Sequence, residues 1–232
     1  HAYHLNNQFD AAIKEFQKYE TFLDSVKDKA TEVDVNRQIA MCNTGKELVS
    51  SPVNIKIQNL GDSINSPYAD YSPVISADES TLIFTSRRKG STGGKLDAEG
   101  KYFEDIYISH KVDGKWSGAK NIGPPINTDG HEASIGLSVD GQTVFIYKDD
   151  HGDGNIYTSR LLGTEWTPPQ KLNENIDTKY WEPSCSISAD GSVLYFTSNR
   201  PGGFGGRDIY MSRRLPNGEW GKAINLGPKI NT

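Results

Sequence analysis

Asn225-Leu226-Gly227-Pro228-Lys229-Ile230-Asn231-Thr232 ends the sequence, and the same phrase stands in it three times before. It reads Asn59-Leu60-Gly61-Asp62-Ser63-Ile64-Asn65-Ser66, then Asn121-Ile122-Gly123-Pro124-Pro125-Ile126-Asn127-Thr128. A weakened copy, Lys171-Leu172-Asn173-Glu174-Asn175-Ile176-Asp177-Thr178, lacks the glycine. The copies return at intervals of roughly 50–60 residues, the mark of a stacked or radial repeat rather than one irregular domain. Scaffolds of that kind mostly bind, so function is to be sought on their surfaces.

Working back from each phrase, three units can be laid over one another. Each has a turn: Ser76-Ala77-Asp78-Glu79, Ser138-Val139-Asp140-Gly141 and Ser188-Ala189-Asp190-Gly191. In the last two, glycine accepts the positive φ of a hairpin. A second strand follows at Leu82–Ser86, Val144–Tyr147 and Leu194–Ser198, with Phe84, Phe145 and Tyr195 aligned. A third opens at Asp105, Asn155 and Asp208, and a fourth begins at Trp116, Trp166 and Trp220 and runs into the phrase. Four short antiparallel strands per unit make one propeller blade. The blades are placed at about 67–128, 129–178 and 179–232. Residues 53–60 precede the first unit yet end in the phrase, so they are expected to supply a ring-closing strand that covers an open edge. Three blades are fewer than a ring commonly needs, so further blades are expected beyond residue 232.

Residues 1–51 read as helical. Phe9, Ala12, Ile13, Phe16, Tyr19 and Leu23 recur at helical steps and leave Lys14, Glu15 and Lys18 on the other face. A second pattern over about 28–48 carries Ala30, Val33, Ala40 and Leu48 as its apolar marks, weakened by Gly45 and ended at Ser50-Ser51-Pro52. The fold class is therefore α plus all-β: tetratricopeptide-like helices over 1–51, then a partial β-propeller of four-stranded antiparallel blades over 52–232.

The helical part rests on a resemblance: Tyr3-x5-Phe9-x2-Ala12-Ile13-x2-Phe16 is similar to the second half of a tetratricopeptide repeat. An ordinary amphipathic hairpin is the other reading. The β part has a stronger one. Ser-x-Asp-Gly, then Leu194-Tyr195-Phe196-Thr197-Ser198-Asn199-Arg200-Pro201-Gly202-Gly203, then Gly205-Gly206-Arg207-Asp208-Ile209-Tyr210 resembles the TolB-type WD40-like repeat. Together they resemble periplasmic, outer-membrane-associated lipoproteins of the OmpA family, some of which belong to the type IX secretion and gliding machinery. The resemblance implies a non-enzymatic scaffold with other envelope proteins as partners. It implies peptidoglycan contact only through an OmpA-like domain outside this sequence. The second unit departs from the pattern, with Lys148-Asp149-Asp150-His151-Gly152-Asp153-Gly154 where the third has Ser-Asn-Arg-Pro-Gly-Gly.

Composition narrows the classes. Lys and Arg number 25 against 30 Asp and Glu, for a formal charge of −5, and no basic stripe tracks a phosphate backbone. No apolar run is long enough to span a bilayer. Cys42 and Cys185 sit in segments of different type and read as two buried thiols, neither a metal set nor a disulfide framework. The sequence begins at His1 without Met, so it is expected to be a piece of a longer chain.

Each chemical motif has a structural alternative. Asp105, Asn155 and Asp208 could form a ring of carboxylates and amide, but a short acceptor that fixes a turn is the better reading. Trp116, Trp166 and Trp220 could be sugar platforms; their fixed place in every blade favours packing between sheets. Asp149, His151 and Asp153 echo a calcium loop, yet the twelfth position is Arg160 where a bidentate Glu is needed, so an acidic hairpin tip is expected. Pro201–Gly206 lacks the following helix of a phosphate cradle. No nucleophile elbow or His-Glu-x-x-His set stands out, and no cofactor or metal is implied. The most distinctive surface feature is the insertion over 87–104. Candidate partner-binding residues are Arg87, Arg88, Lys89, Lys95, Lys101, Tyr102 and Phe103 within it, with Lys14 and Lys18 on the first helical face. The alternative function is a glycan-binding or glycan-cleaving propeller, which aromatics and carboxylates gathered at the ring centre would favour.

Overall fold

The computed structural model describes residues 1–26, 29–149 and 153–231. The chain forms two compact units, His1–Gln58 and Asn59–Thr232.

In the first unit a short helix α1 (Ala2–Leu5) precedes α2 (Phe9–Val26) and α3 (Lys29–Ser50), which pack against each other. Phe9, Ala12, Phe16 and Leu23 of α2 meet Val35 and Cys42 of α3 in one core. The α2 face is the one its periodicity gives, except that Tyr19 is exposed and stacks on Phe22 at 6.3 Å. The α3 face corrects the sequence reading. Ala40 and Leu48 are exposed, and the buried stripe runs through Val35, Ile39, Cys42 and Gly45. The side chains of Ala30 and Val33 lie outside the described residues. Gly45, which weakened the helical pattern, is what lets the helices close: a Cβ there would stand 2.6 Å from the Phe9 ring.

Residues 53–60, expected to supply a ring-closing strand, form no strand in this structure. Val53, Ile55 and Ile57 are 73%, 71% and 93% exposed. A strand is held by a ladder to a neighbour, and no described strand offers that segment its edge.

The second unit holds three antiparallel sheets. The first comprises β1 (Asp70–Ile75), β2 (Thr81–Ser86), β3 (Asp105–Val112), β4 (Lys115–Trp116) and β5 (Lys120–Asn121). The second comprises β6 (Glu132–Leu137), β7 (Thr143–Lys148), β8 (Asn155–Leu162), β9 (Glu165–Trp166) and β10 (Gln170–Lys171). The third comprises β11 (Cys185–Ile187), β12 (Val193–Ser198), β13 (Asp208–Arg213) and β14 (Ile224–Asn225). The central pairings share one register, with Ser86 opposite Asp105, Lys148 opposite Asn155 and Ser198 opposite Asp208. That register shifts one alignment of the sequence reading. Phe84 is equivalent to Ile146 and Phe196, while Phe145 and Tyr195 correspond to Ile83.

The expected fourth strand is broken into two short pieces in each of the first two sheets: β4 and β5, then β9 and β10. The reason is a hydroxyl. Ser109 Oγ donates to Ser117 O, Ser159 Oγ to Thr167 O, and Ser212 Oγ to Gly221 O in the third sheet, at 2.7, 2.6 and 2.6 Å. These bonds take up carbonyls at the break that would otherwise stand unpaired.

Neighbouring sheets stack face to face. Ile83 of the first packs with Val144 and Ile146 of the second, and Phe145 of the second with Leu194, Phe196 and Tyr210 of the third. The isoleucines of two copies of the phrase seal the joints, Ile126 and Ile176 being fully buried in those clusters; Ile64 packs on Leu82, Phe84 and Tyr107 of the first sheet, and Ile230 is exposed. The first strands run side by side, β1 against β6 and β6 against β11, as inner strands of adjacent blades do.

Candidate functional site

The recurring polar residues are consumed by the architecture. In each hairpin turn the serine hydroxyl donates to the aspartate two residues on: Ser76 to Asp78 at 2.6 Å, Ser138 to Asp140 at 2.5 Å and Ser188 to Asp190 at 2.5 Å. The aspartate then accepts the backbone N–H of Ser80, Gln142 or Ser192 at 3.0 Å. The serine donors come first among the groups that hold Asp78 and Asp190 at a pKa of about 2. Asp105 accepts from Thr92 N at 2.6 Å and from Asn121 Nδ2; Asp208 accepts from Phe204 N, Gly205 N and Asn225 Nδ2. Asn155 sits at the same register point of β8 and is buried. Trp220 is buried in the joint between the second and third sheets, and Trp116 and Trp166 pack half-buried against the clusters of theirs.

The phrase itself is a side-chain clasp. Asn121 Oδ1 accepts from Gly123 N and Asn127 Nδ2, and Asn225 Oδ1 from Gly227 N and Asn231 Nδ2. Asn127 and Asn231 each accept the N–H and donate to the C=O of one β-strand residue, Ile106 and Ile209. Asp177 replaces that asparagine in the weak copy and accepts from Ile156 N at 2.8 Å and Leu172 N at 3.1 Å. Burial pushes its carboxyl up to about 7.

The insertion over 87–104 is an ordered side hairpin, with Leu96 bridged to Tyr102. Two of its candidate residues turn inward, which removes them from the surface set. Arg88 lies over the Phe84 and Tyr107 rings, at 5.2 and 4.7 Å, and bonds Asp70 and Ile64 O at 2.7 Å. Arg200 repeats that role in the third sheet over Phe196 and Tyr210. Arg87 is held by Asp97, Glu104 and Tyr102 O. Lys95 pairs with Asp129 at 2.7 Å and Lys101 with Glu99 at 2.6 Å, both exposed. Tyr102 meets Tyr68 edge-on, Phe103 stacks on His131 at 3.8 Å, and Lys89, Lys14 and Lys18 are exposed. Arg87, Lys95, Lys101, Tyr102 and Phe103 are thus each engaged by a different group of the β unit.

What the structure does gather, sequence reasoning missed. A cavity of about 430 Å³ opens beside the inner strands and draws on the first two sheets and on the segment that leads into β11. Tyr71, Glu104, His131, Tyr147 and Trp181 stand around it, with Ile135 and Pro183 among its apolar lining. Glu104 ties one side together: it accepts from Tyr71 OH at 3.0 Å and pairs with His131 Nδ1. Burial works to raise the Glu104 carboxyl, but the bonds from His131 and Tyr71 outweigh it and hold it below its ordinary value. Burial, and then the Glu104 charge, push the Tyr71 hydroxyl up. On the other side Trp181 Nε1 donates to Tyr147 OH at 3.2 Å, and the Arg207 guanidinium lies 4.6 Å from the Trp181 ring. Gly154 permits that pair, since a Cβ there would come within 2.5 Å of Trp181 and 2.7 Å of Tyr147. Residues 150–152, the centre of the segment weighed as a calcium loop, lie outside the described residues. The available signal was register: His131 and Trp181 both directly precede the buried Glu132 and Glu182, and Glu104 and Gly154 directly precede Asp105 and Asn155.

No family model matches the chain, and no curated protein matches it. Among solved structures it is similar to TolB from Acinetobacter baumannii, at 18% identity and a TM-score of 0.45, over 69% of this chain and 33% of that one. It is similar to a prolyl endopeptidase at 16% identity and a TM-score of 0.45, over 78% of this chain and 24% of that one. A putative TolB from Agrobacterium tumefaciens matches at 18% identity and a TM-score of 0.38, over 70% and 63%. The chain thus spans about a third or less of the first two. Likeness at this level carries no argument, and the architecture rests on the strand pairing above.

Proposed function

We propose that this chain is a non-enzymatic scaffold that docks partner proteins, and that it works in the periplasm at the outer membrane. The observation that carries the reading is the helical unit's surface. Tyr19, Phe22 and Met41 are 47%, 59% and 46% exposed, beside a groove lined by Phe16, Tyr19, Val35 and Met41. An amphipathic pair that leaves large apolar side chains next to a groove suits a protein partner. Four of the repeat carboxylates support it from the other side, because Asp78, Asp140, Asp190 and Asp208 are occupied by backbone and side-chain donors that hold them ionised, rather than poised for proton transfer. The location and a place in type IX secretion are proposed on the motif resemblance alone, from Ser-x-Asp-Gly and from the Arg207-Asp208-Ile209-Tyr210 run that follows Gly205-Gly206.

The test is co-purification from detergent-solubilised envelope, with the chain as bait and a Tyr19→Ser, Phe22→Ser double variant beside it. Loss of at least one partner, with an unchanged melting curve, is the expected result. Identical recovery of every partner would refute helical docking. A second pair, Lys95→Glu with Lys101→Glu, asks the same of the insertion without removing Thr92 or Asp97, which hold Asp105 and Arg87.

A further inference from the structure

We infer that the cavity between Tyr71, Glu104, His131, Tyr147 and Trp181 is a binding site for an uncharged pyranose ring. This stands apart from the scaffold reading and does not depend on it.

The position of these residues in the repeat is the first argument. The architecture is satisfied by residues that recur in register: the turn Ser–Asp pairs, the Asp–Asn clasps, Arg88 and Arg200. The cavity is built where the units depart from one another. Before the buried carboxylates Glu132 and Glu182 stand His131 and Trp181. Where β2 and β12 carry Thr85 and Thr197, β7 carries Tyr147. These departures converge on one concavity of about 430 Å³, inside the usual range of roughly 300–1,000 Å³ for small-molecule sites.

The chemistry of the lining is the second argument. Tyr71 and Trp181 keep 37% and 38% of their surface open to solvent, so their rings are within reach of a ligand. Arg207 covers the Trp181 ring from one side, and Trp181 N–H is already spent on Tyr147. The ring's remaining surface is therefore apolar and π-rich, a platform for the C–H face of a sugar. Around it stand groups that both donate and accept. His131 Nδ1 faces Glu104, so in the neutral ring Nε2 is an acceptor. The Tyr71 hydroxyl, whose proton goes to Glu104, keeps a lone pair to accept with, and the Tyr147 hydroxyl, which accepts from Trp181, keeps its proton to donate. A polyhydroxylated ring, with alternating donors and acceptors over an apolar face, matches this mixture.

The charge decides which sugars. Glu104, Glu132 and Asp149 border the cavity, and Glu132 is held by Lys148 at 3.1 Å. The cations Arg87 and Lys148 are held by these carboxylates, so neither is a free partner for the charge of a uronic or sialic acid. The carboxylates are not open cation seats either: Glu104 is taken by Tyr71, His131 and Arg87, and Glu132 by Thr128 and Lys148. A basic peptide would find them occupied.

The experiment is isothermal titration of the intact chain with chitotriose, maltotriose, N-acetylneuraminic acid and trilysine. Binding of at least one uncharged trisaccharide is expected, with neither of the other two. Trp181→Ala should weaken it at least tenfold with no fall in melting temperature. If that variant melts early, Tyr71→Ala, on the exposed opposite wall, takes its place with the same expected loss. Failure of both trisaccharides to bind, undiminished binding by a folded variant, or binding of trilysine alone would each overturn the inference. None of these outcomes bears on co-purification through the helical unit, so the two readings fail separately.

Discussion

Asp177 stands where the three other copies of the phrase have Asn65, Asn127 and Asn231, and the difference is a titration. Its carboxyl is pushed up to about 7 by burial, from an ordinary 3.8. In the unfolded chain it ionises near 3.8, so between roughly pH 4 and pH 7 the folded chain holds the extra proton. Stability therefore falls as pH rises through that window, and the Asp177 contribution is fully adverse above it. Asp177→Asn should remove this slope and stabilise the protein by about 1–3 kcal/mol at pH 8. The amide can also donate to Ile156 O, as Asn127 does to Ile106 O. Urea melts of both proteins at pH 5 and pH 8 check it; a difference that is equal at the two pH values would contradict the assignment. Trp220 makes the companion case. At 6% exposure, within the cluster of Phe145, Leu194 and Tyr210, its replacement by Ala should cost about 3–5 kcal/mol.

Elements in this chain are set by single contacts as much as by propensity. Helix α3 runs through Gly45, although glycine costs about 1 kcal/mol against alanine in a helix. Gly45→Ala should nonetheless destabilise the helical unit by about 1–3 kcal/mol, because the new methyl meets the Phe9 ring within a packed core. Thermal melts followed by helical circular dichroism would detect it, and a rise in melting temperature would show that Phe9 can yield. The broken fourth strand depends on the serine hydroxyls of the third. Ser159→Ala leaves Thr167 O without its 2.6 Å donor and should cost about 1–2 kcal/mol. The same change at exposed Ser186 should cost almost nothing, and melts of the two variants compare them directly.

At the scale of the whole β unit, the worth of a residue depends on whether another sheet faces it. Ile83, Phe145 and Tyr195 occupy one register position in successive sheets, yet they are 0%, 2% and 39% exposed. Ile126, Ile176 and Ile230 follow the same course, at 0%, 0% and 57%. Phe145→Ala should therefore cost about 3–5 kcal/mol. Tyr195→Ala, at the equivalent place, should cost under about 1 kcal/mol. Denaturant midpoints of the two variants test this, and equal losses would mean that the third sheet's open face is covered in solution.

The sequence by itself determined the turn between the first and second strands of each sheet and the clasp that ends the first and third repeats, because Ser-x-Asp and Asn-x-Gly act through bonds within a few residues. Periodicity likewise determined the buried face of α2. Tertiary structure decided the rest. Residues 53–60 read as a strand in isolation, but a strand needs a partner's edge and none of the described strands supplies it. The buried face of α3 was misread because its decisive residue, Gly45, carries no side chain to signal it; only the Phe9 ring on the other helix gives it meaning. The inward turn of Arg88 and the cavity at Trp181 were equally hidden. Arg88 lies over rings from two strands, and the cavity takes its walls from two sheets and the segment before a third. Local sequence records bonds between near neighbours, whereas a cavity bordered by separate sheets forms only once the sheets are stacked.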